Sequence, residues 1–208
     1  MLHDAYKIMK YEVERYGNAL LYEEEDIRNA LALWKTVPYQ EALELKGGVT
    51  AHFSDAGHIL GSAMVTLSRG GKKIVFTGDV GNVPQPLMNP PVVPEGYDYL
   101  LMESVYGDRV HEEVKERTEL LKFYIEETRK KNGTLIIPAF SMERTQGMLF
   151  EINNLVESRE IEPLPVFLDS PLAIRVTELY RTYKTYLKKE VLDQIDAGDD
   201  IFAFEGLA

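Results

Sequence analysis

Two runs of this chain, KKIVFTGD at residues 72–79 and YDYLLMES at 97–104, each hold an apolar stretch followed by an acid: Glu103 comes directly after YLLM, and Asp79 follows IVF past Thr77-Gly78. Strands buried on both faces read this way, because each side of the pleat meets another layer. VTAHFSDA (49–56) and AMVTLSR (63–69) are also strand-like, and the Gly70-Gly71 pair after AMVTLSR reads as a hairpin turn. The middle of the chain is therefore expected to be a sheet.

The flanks follow other periods. Ala5, Ile8, Met9 and Val13 recur at helical spacing, and Ile27, Ala30, Leu31 and Trp34 share a face of a second helix from about Glu23. Gly17-Asn18 separates the two. The stretch NVPQPLMNPPVVPEG holds five of the ten prolines and predicts a loop. Residues 112–131 predict a helix stopped by Gly133. TLIIPAF (134–140) predicts a buried strand, Met142 to Val156 a helix, and PVFLDS (165–170) another strand. Pro171 then opens a helix with Ser170 as N-cap. Strand–helix alternation predicts a small parallel α/β unit, with a boundary near 108–113.

Composition narrows the function classes. There is no cysteine, so disulfides and thiolate metal sites are excluded, and a reducing cytoplasm fits. Zinc would need His and carboxylates, and the histidines are His3, His52, His58 and His111. No apolar run is long enough to span a membrane, and the N-terminal residues carry charges where a signal peptide would be apolar. A net charge of −11 argues against a simple electrostatic nucleic-acid binder. A metal hydrolase stays open, because bound divalent cations supply local positive charge.

Three segments could carry chemistry. In SDAGHILGSA (54–63), His58 sits between Gly57 and Gly61 on a tight loop that could offer a ring nitrogen to a metal; an ordinary loop histidine is the competing reading. In KIVFTGDVGN (73–82), a strand ends at Asp79, placed to hold a cation or to cap a turn. In YDYLLMESVYGDR (97–109), a strand ends at Glu103. The spacing suits neighbouring sheet elements that aim their ends at one place.

AGHILGSA, FTGDVGN and MESVYGDR, in this order, resemble the β-CASP group of the metallo-β-lactamase superfamily, as do the later IPAFSMERTQ (137–146) and LDSPLA (168–173). That group includes RNA nucleases and the endonuclease of mRNA 3′-end processing. The resemblance runs over the whole chain. It implies an α/β chain: a partial αββα-type metallo-β-lactamase sheet over 1–110, then a small parallel α/β β-CASP domain over 111–208. It implies His58 as a zinc ligand and Asp79 as a carboxylate bridging two zinc ions. Glu103 matches an acid that supports the metal centre, so Asp79 and Glu103 are the catalytic candidates. Val105 departs from the threonine common in the family. Ser141, Arg144 and Ser170 lie where helix N-termini could receive RNA phosphates, with ordinary helix capping as the alternative. His3, His52 and His111 match no ligand position.

The superfamily's His-x-His-x-Asp-His motif is absent. With two ligand candidates against the three of a usual catalytic zinc, the chain is expected to be part of a longer nuclease and inactive alone. A non-catalytic scaffold or dimerisation module, with a homodimer as the assembly, is one alternative. A small-molecule hydrolase of the same superfamily is another, and a non-enzymatic α/β domain with coincidental motifs is a third.

Overall fold

The helical period of the first residues becomes two helices in the computed structural model, which describes residues 2–109 and 114–208. Helix α1 spans Leu2–Tyr16 and α2 spans Glu24–Ala32. Gly17 ends α1 with φ +70°, the left-handed conformation that closes a helix. The backbone N–H of Glu23 donates to Asp26 Oδ2 at 2.8 Å and so fixes the start of α2. Tyr6 and Tyr22 rings stand 6.2 Å apart between the helices. Together Met1–Pro38 form one compact unit. Ile27 is the one buried residue of these helices, and the stripe of Ala5, Ile8, Met9 and Val13 stays exposed or half-buried.

The second unit, Tyr39–Ala208, holds a five-stranded sheet in the order β1-β2-β3-β4-β5. The strands are β1 Ala42–Leu45, β2 Val49–Asp55, β3 Ala63–Arg69, β4 Lys72–Phe76 and β5 Tyr99–Leu101. Successive pairs from β1 to β4 are antiparallel, and β5 joins β4 in parallel. Gly70 and Gly71 turn the β3–β4 hairpin with φ +57° and +76°, the paired positive values of a tight hairpin turn. Strand β1 was not expected from the sequence.

Four helices follow: α3 Val114–Lys130, α4 Arg144–Glu157, α5 Pro171–Thr182 and α6 Lys189–Asp196. Their cores are Leu149, Phe150, Ile152 and Leu155 of α4 with Val176 and Tyr180 of α5, Ile201 and Phe202. Leu87 and Met88 of the proline-rich loop are buried in the same cluster, and Met88 bridges to Leu187. That loop is thus an internal connector between the sheet and the helices.

Two expectations about strands differ from the structure. The runs read as buried on both faces are not: in β4 only Val75 is buried, and all three residues of β5 are exposed. The helical core cluster contains no sheet residue, so it leaves those faces open. Residues 134–140 form no ladder, and residues 165–170 contribute one bridge, Val166 to Leu207. A strand is held by pairing its N–H and C=O groups. These segments find almost no such partner among the described residues, and Ile136 and Phe140 are 83% and 82% exposed.

Candidate active site

Topology alone gathers the three motif segments. β2 and β4 both run antiparallel to β3, so they are parallel to each other, and β5 is parallel to β4. The loops leaving β2, β4 and β5 therefore lie at one end of the sheet. These loops carry His58, Asp79 and Glu103.

The first two loops are locked by backbone. The Gly81 N–H donates to Ala56 O at 2.8 Å, and Gln85 Nε2 donates to Gly57 O at 2.9 Å. The approach is close enough that a Cβ on Gly81 would lie 1.7 Å from Gly57 O. A Cβ on Gly57 would lie 2.6 Å from Pro91 N, and its φ is +62°. Only glycine fits at either position. Asp55 Oδ1 accepts the Gly57 N–H at 2.8 Å, and Ser62 Oγ accepts the N–H groups of His58 and Ile59, each at 3.2 Å. The half-buried His58 is thus carried on a loop whose ends are tied to each other.

Glu103 supports the second loop from β5. Its Oε1 accepts the Val80 N–H in a short hydrogen bond, one residue after Asp79. Its own N–H donates to Thr77 Oγ1 at 3.2 Å. The Asp79 side chain is left exposed. This end of the sheet thus carries an exposed carboxylate, a half-buried imidazole on the adjoining loop, and an acid bracing the carboxylate's loop.

Burial pushes the Asp55 carboxyl above the ordinary range, with the Gly57 N–H acting against it. Beside it, Tyr39 donates to Ser62 O at 2.7 Å. Its hydroxyl is pushed up to about 12, chiefly by burial, then by the charges of Asp55 and Tyr186.

The Ser141, Arg144 and Ser170 candidates gather around the starts of α4 and α5. Ser141 Oγ and Ser170 Oγ lie 3.3 Å apart. Ser170 also caps α5, accepting from the Ala173 N–H at 3.2 Å. Gln146 is fully buried beneath them and donates to Ser141 O at 3.2 Å and to Thr177 Oγ1 at 3.1 Å. Arg144 is open to solvent and its Nε meets Glu143 Oε2 at 3.2 Å. Glu143 has φ +60° and ψ −58°, and the Arg144 N–H reaches Met142 O at 2.7 Å across it. That is a γ-turn of the strained hand. Tyr180 on α5 joins this region to the His58 loop by accepting the Leu60 N–H at 3.4 Å.

The remaining histidines are elsewhere. His3 lies in the first unit, His52 is a half-buried residue of β2, and His111 falls outside the described residues. The sequence reading missed Asp55, Tyr39, Tyr180 and Glu143. Asp55 had a usable signal, since Asp two residues before a glycine favours an Asx-turn.

The donor set fits zinc in kind, as imidazole and carboxylate, and falls short in number. Among the described residues no group of three or more His, Asp or Glu stands close enough to hold a metal ion. His58 and Asp79 would need further ligands to bind zinc firmly. Among the described residues, too, no helix is long and apolar enough to cross a membrane.

Comparison with known proteins gives a consistent result. Residues 145–208 match the Beta-Casp domain. The chain is 32% identical to Ribonuclease TTHA0252 of Thermus thermophilus over 207 residues, covering 100% of this chain and 46% of that protein. It is 32% identical over 179 residues to an RNase J-like protein of Methanocaldococcus jannaschii, covering 84% of this chain and 42% of the relative. It is 28% identical over 210 residues to Cleavage and polyadenylation specificity factor 73 of Drosophila melanogaster, covering 100% and 30%. The chain thus spans less than half the length of these relatives.

Proposed function

This chain belongs to the β-CASP group of the metallo-β-lactamase superfamily, and on that premise we propose that it carries part of the cleavage centre and part of the RNA-holding domain of a zinc-dependent ribonuclease. The observation that supports this best is the backbone lock between the His58 and Asp79 loops, with Glu103 fastened to the residue after Asp79. The proposed domains are 1–110 and 111–208; the matched Beta-Casp segment falls inside the second. The proposed location is the cytoplasm, supported by the absence of cysteine.

In this reading His58 and Asp79 would hold zinc, together with ligands that these residues do not supply. When bound, zinc lowers the pKa of water and offsets charge developing on phosphate oxygens. The chain's own residues do the positioning. Glu103 fixes the Asp79 loop through the Val80 N–H, and Ser62 and Asp55 fix the His58 loop. Ser141, Arg144 and Ser170 contact RNA phosphates at the two helix starts, where N–H groups and a guanidinium favour anions.

Purified chain, supplied with zinc and RNA, is expected to bind RNA without cleaving it. Arg144→Ala should weaken that binding roughly tenfold, the scale of one charged hydrogen bond. In a protein that holds the remaining ligands, Asp79→Ala should remove both zinc and cleavage. Cleavage that survives Asp79→Ala overturns the assignment. The second reading, a non-catalytic scaffold or dimerisation module, is favoured by the two-donor site and the exposed apolar segment 134–140. Zinc content of that ligand-complete protein separates the two.

A further inference from the structure

Helix α4 carries a polar residue that core packing does not explain. Asn153 has no exposed surface, and its sequence neighbour Ile152 and nearby Phe150 and Val156 belong to the hydrophobic cluster. Its Nδ2 donates to Asp199 Oδ2 at 3.4 Å. Its Oδ1 is buried with no hydrogen-bond partner, and so is Asp199 Oδ1. Two buried acceptors have thus given up water without gaining a donor, which native cores rarely tolerate.

A third oxygen group joins them. Glu157 lies one turn after Asn153 and ends α4. Its carboxyl is within hydrogen-bonding reach of Asp199 and is held above the ordinary range, by burial first and then by the Asp199 charge. Among the described residues neither Glu157 nor Asp199 has a Lys, Arg or His ion pair. The C-terminal end of a helix also concentrates negative charge on its carbonyls. The site is rich in acceptors, and the cations nearest it are engaged elsewhere or stay apart: Arg181 pairs with Asp200 and Lys184 with Asp196, and Arg159 forms no ion pair with either carboxylate among the described residues.

We propose that Asn153, Glu157 and Asp199 bind a hard divalent cation, Ca²⁺ or Mg²⁺, in the Beta-Casp region, separately from His58 and Asp79. The donors are all oxygen, which suits these ions and not zinc. A half-turn of the Asn153 amide exchanges Oδ1 and Nδ2 and brings the oxygen toward Asp199. The ion then joins the end of α4 to the segment after α6. Water completes the coordination, so the affinity belongs with the weaker oxygen-only sites, about 10⁻⁴–10⁻³ M. The competing occupant is a proton shared by the two carboxyls. The proposal uses no step of RNA cleavage.

The test is calorimetric titration of the whole chain with CaCl₂ and MgCl₂ at neutral pH, with melting curves on the same samples. One ion should bind, and at about five times its Kd the melting temperature should rise by roughly 2–4 °C. Glu157→Gln, at an exposed position, and Asp199→Asn should each weaken binding at least tenfold, with the circular dichroism unchanged. Asp79→Asn should bind as the parent does. Absence of binding by the folded parent overturns the proposal, as does binding lost with Asp79→Asn and kept in Glu157→Gln. A melting temperature that ignores both ions and rises only on acidification assigns the pair to a proton instead.

Discussion

The loops at the end of the sheet and the apolar segment 134–140 are opposite cases within one unit. At the loops, backbone groups of residues 56 and 81 touch, two glycines have no tolerable substitute, and Asp55, Ser62 and Glu103 hold backbone N–H groups. In 134–140 an apolar sequence forms no ladder among the described residues, with Ile136 and Phe140 almost fully exposed. Hydrophobicity marked the second as a buried strand, yet it is the first that geometry constrains. Order here comes from paired polar groups and close backbone approach, which a hydropathy pattern does not display.

Substitutions can break that contrast. Gly81→Ala should have the largest effect, since its methyl would collide with Gly57 O. A loss of about 3 kcal/mol or more is expected, with melting lowered by roughly 6 °C or more. A loss under 0.5 kcal/mol would mean that the two loops separate freely. Glu143→Gly should raise stability by about 1 kcal/mol in urea unfolding, because glycine accepts the positive φ of the γ-turn without strain. Ser170→Ala should cost about 1 kcal/mol in the same assay through loss of the α5 cap.

Asp55→Asn should act in a pH-dependent way. The folded protein raises this carboxyl's pKa, so it favours the protonated acid. Its contribution to stability is complete below the ordinary Asp pKa of about 3.9 and is lost as pH rises through the folded value. Asparagine keeps an acceptor for the Gly57 N–H and carries no charge. Its melting temperature should exceed the parent's at neutral pH, and the gap should close on acidification. Ile136→Thr, at an exposed unpaired position, should change stability least, within about 0.5 kcal/mol. A larger loss would show that this segment is packed.

Much of this was legible in the residues, for reasons that differ by element. Gly70-Gly71, Gly17 and Ser170-Pro171 act through backbone conformation and local caps, so the chain around them suffices to read them. The common end for His58, Asp79 and Glu103 followed from strands of similar spacing joined by the expected hairpin. Strand β1 escaped notice because ALEL is short and all four residues are exposed. Burial of Leu87 and Met88 escaped because prolines around them signal a loop, while the contact that buries them comes from residues near 187, a hundred positions later. Glu143 gave no signal, since nothing in its neighbours announces a positive φ. The 134–140 run was read as a strand from its own side chains, whereas a strand requires a partner.

The claim on which the account rests is that His58 and Asp79 stand together. The chain has no cysteine, so thiols can be introduced at these two positions alone. In the His58→Cys/Asp79→Cys variant, a short bifunctional thiosulfonate should bridge the two thiols within one molecule. The bridge should form in high yield in native buffer and fail in urea, read by mass spectrometry after proteolysis. A natively folded double variant whose thiols are both modified yet never bridged would contradict the site.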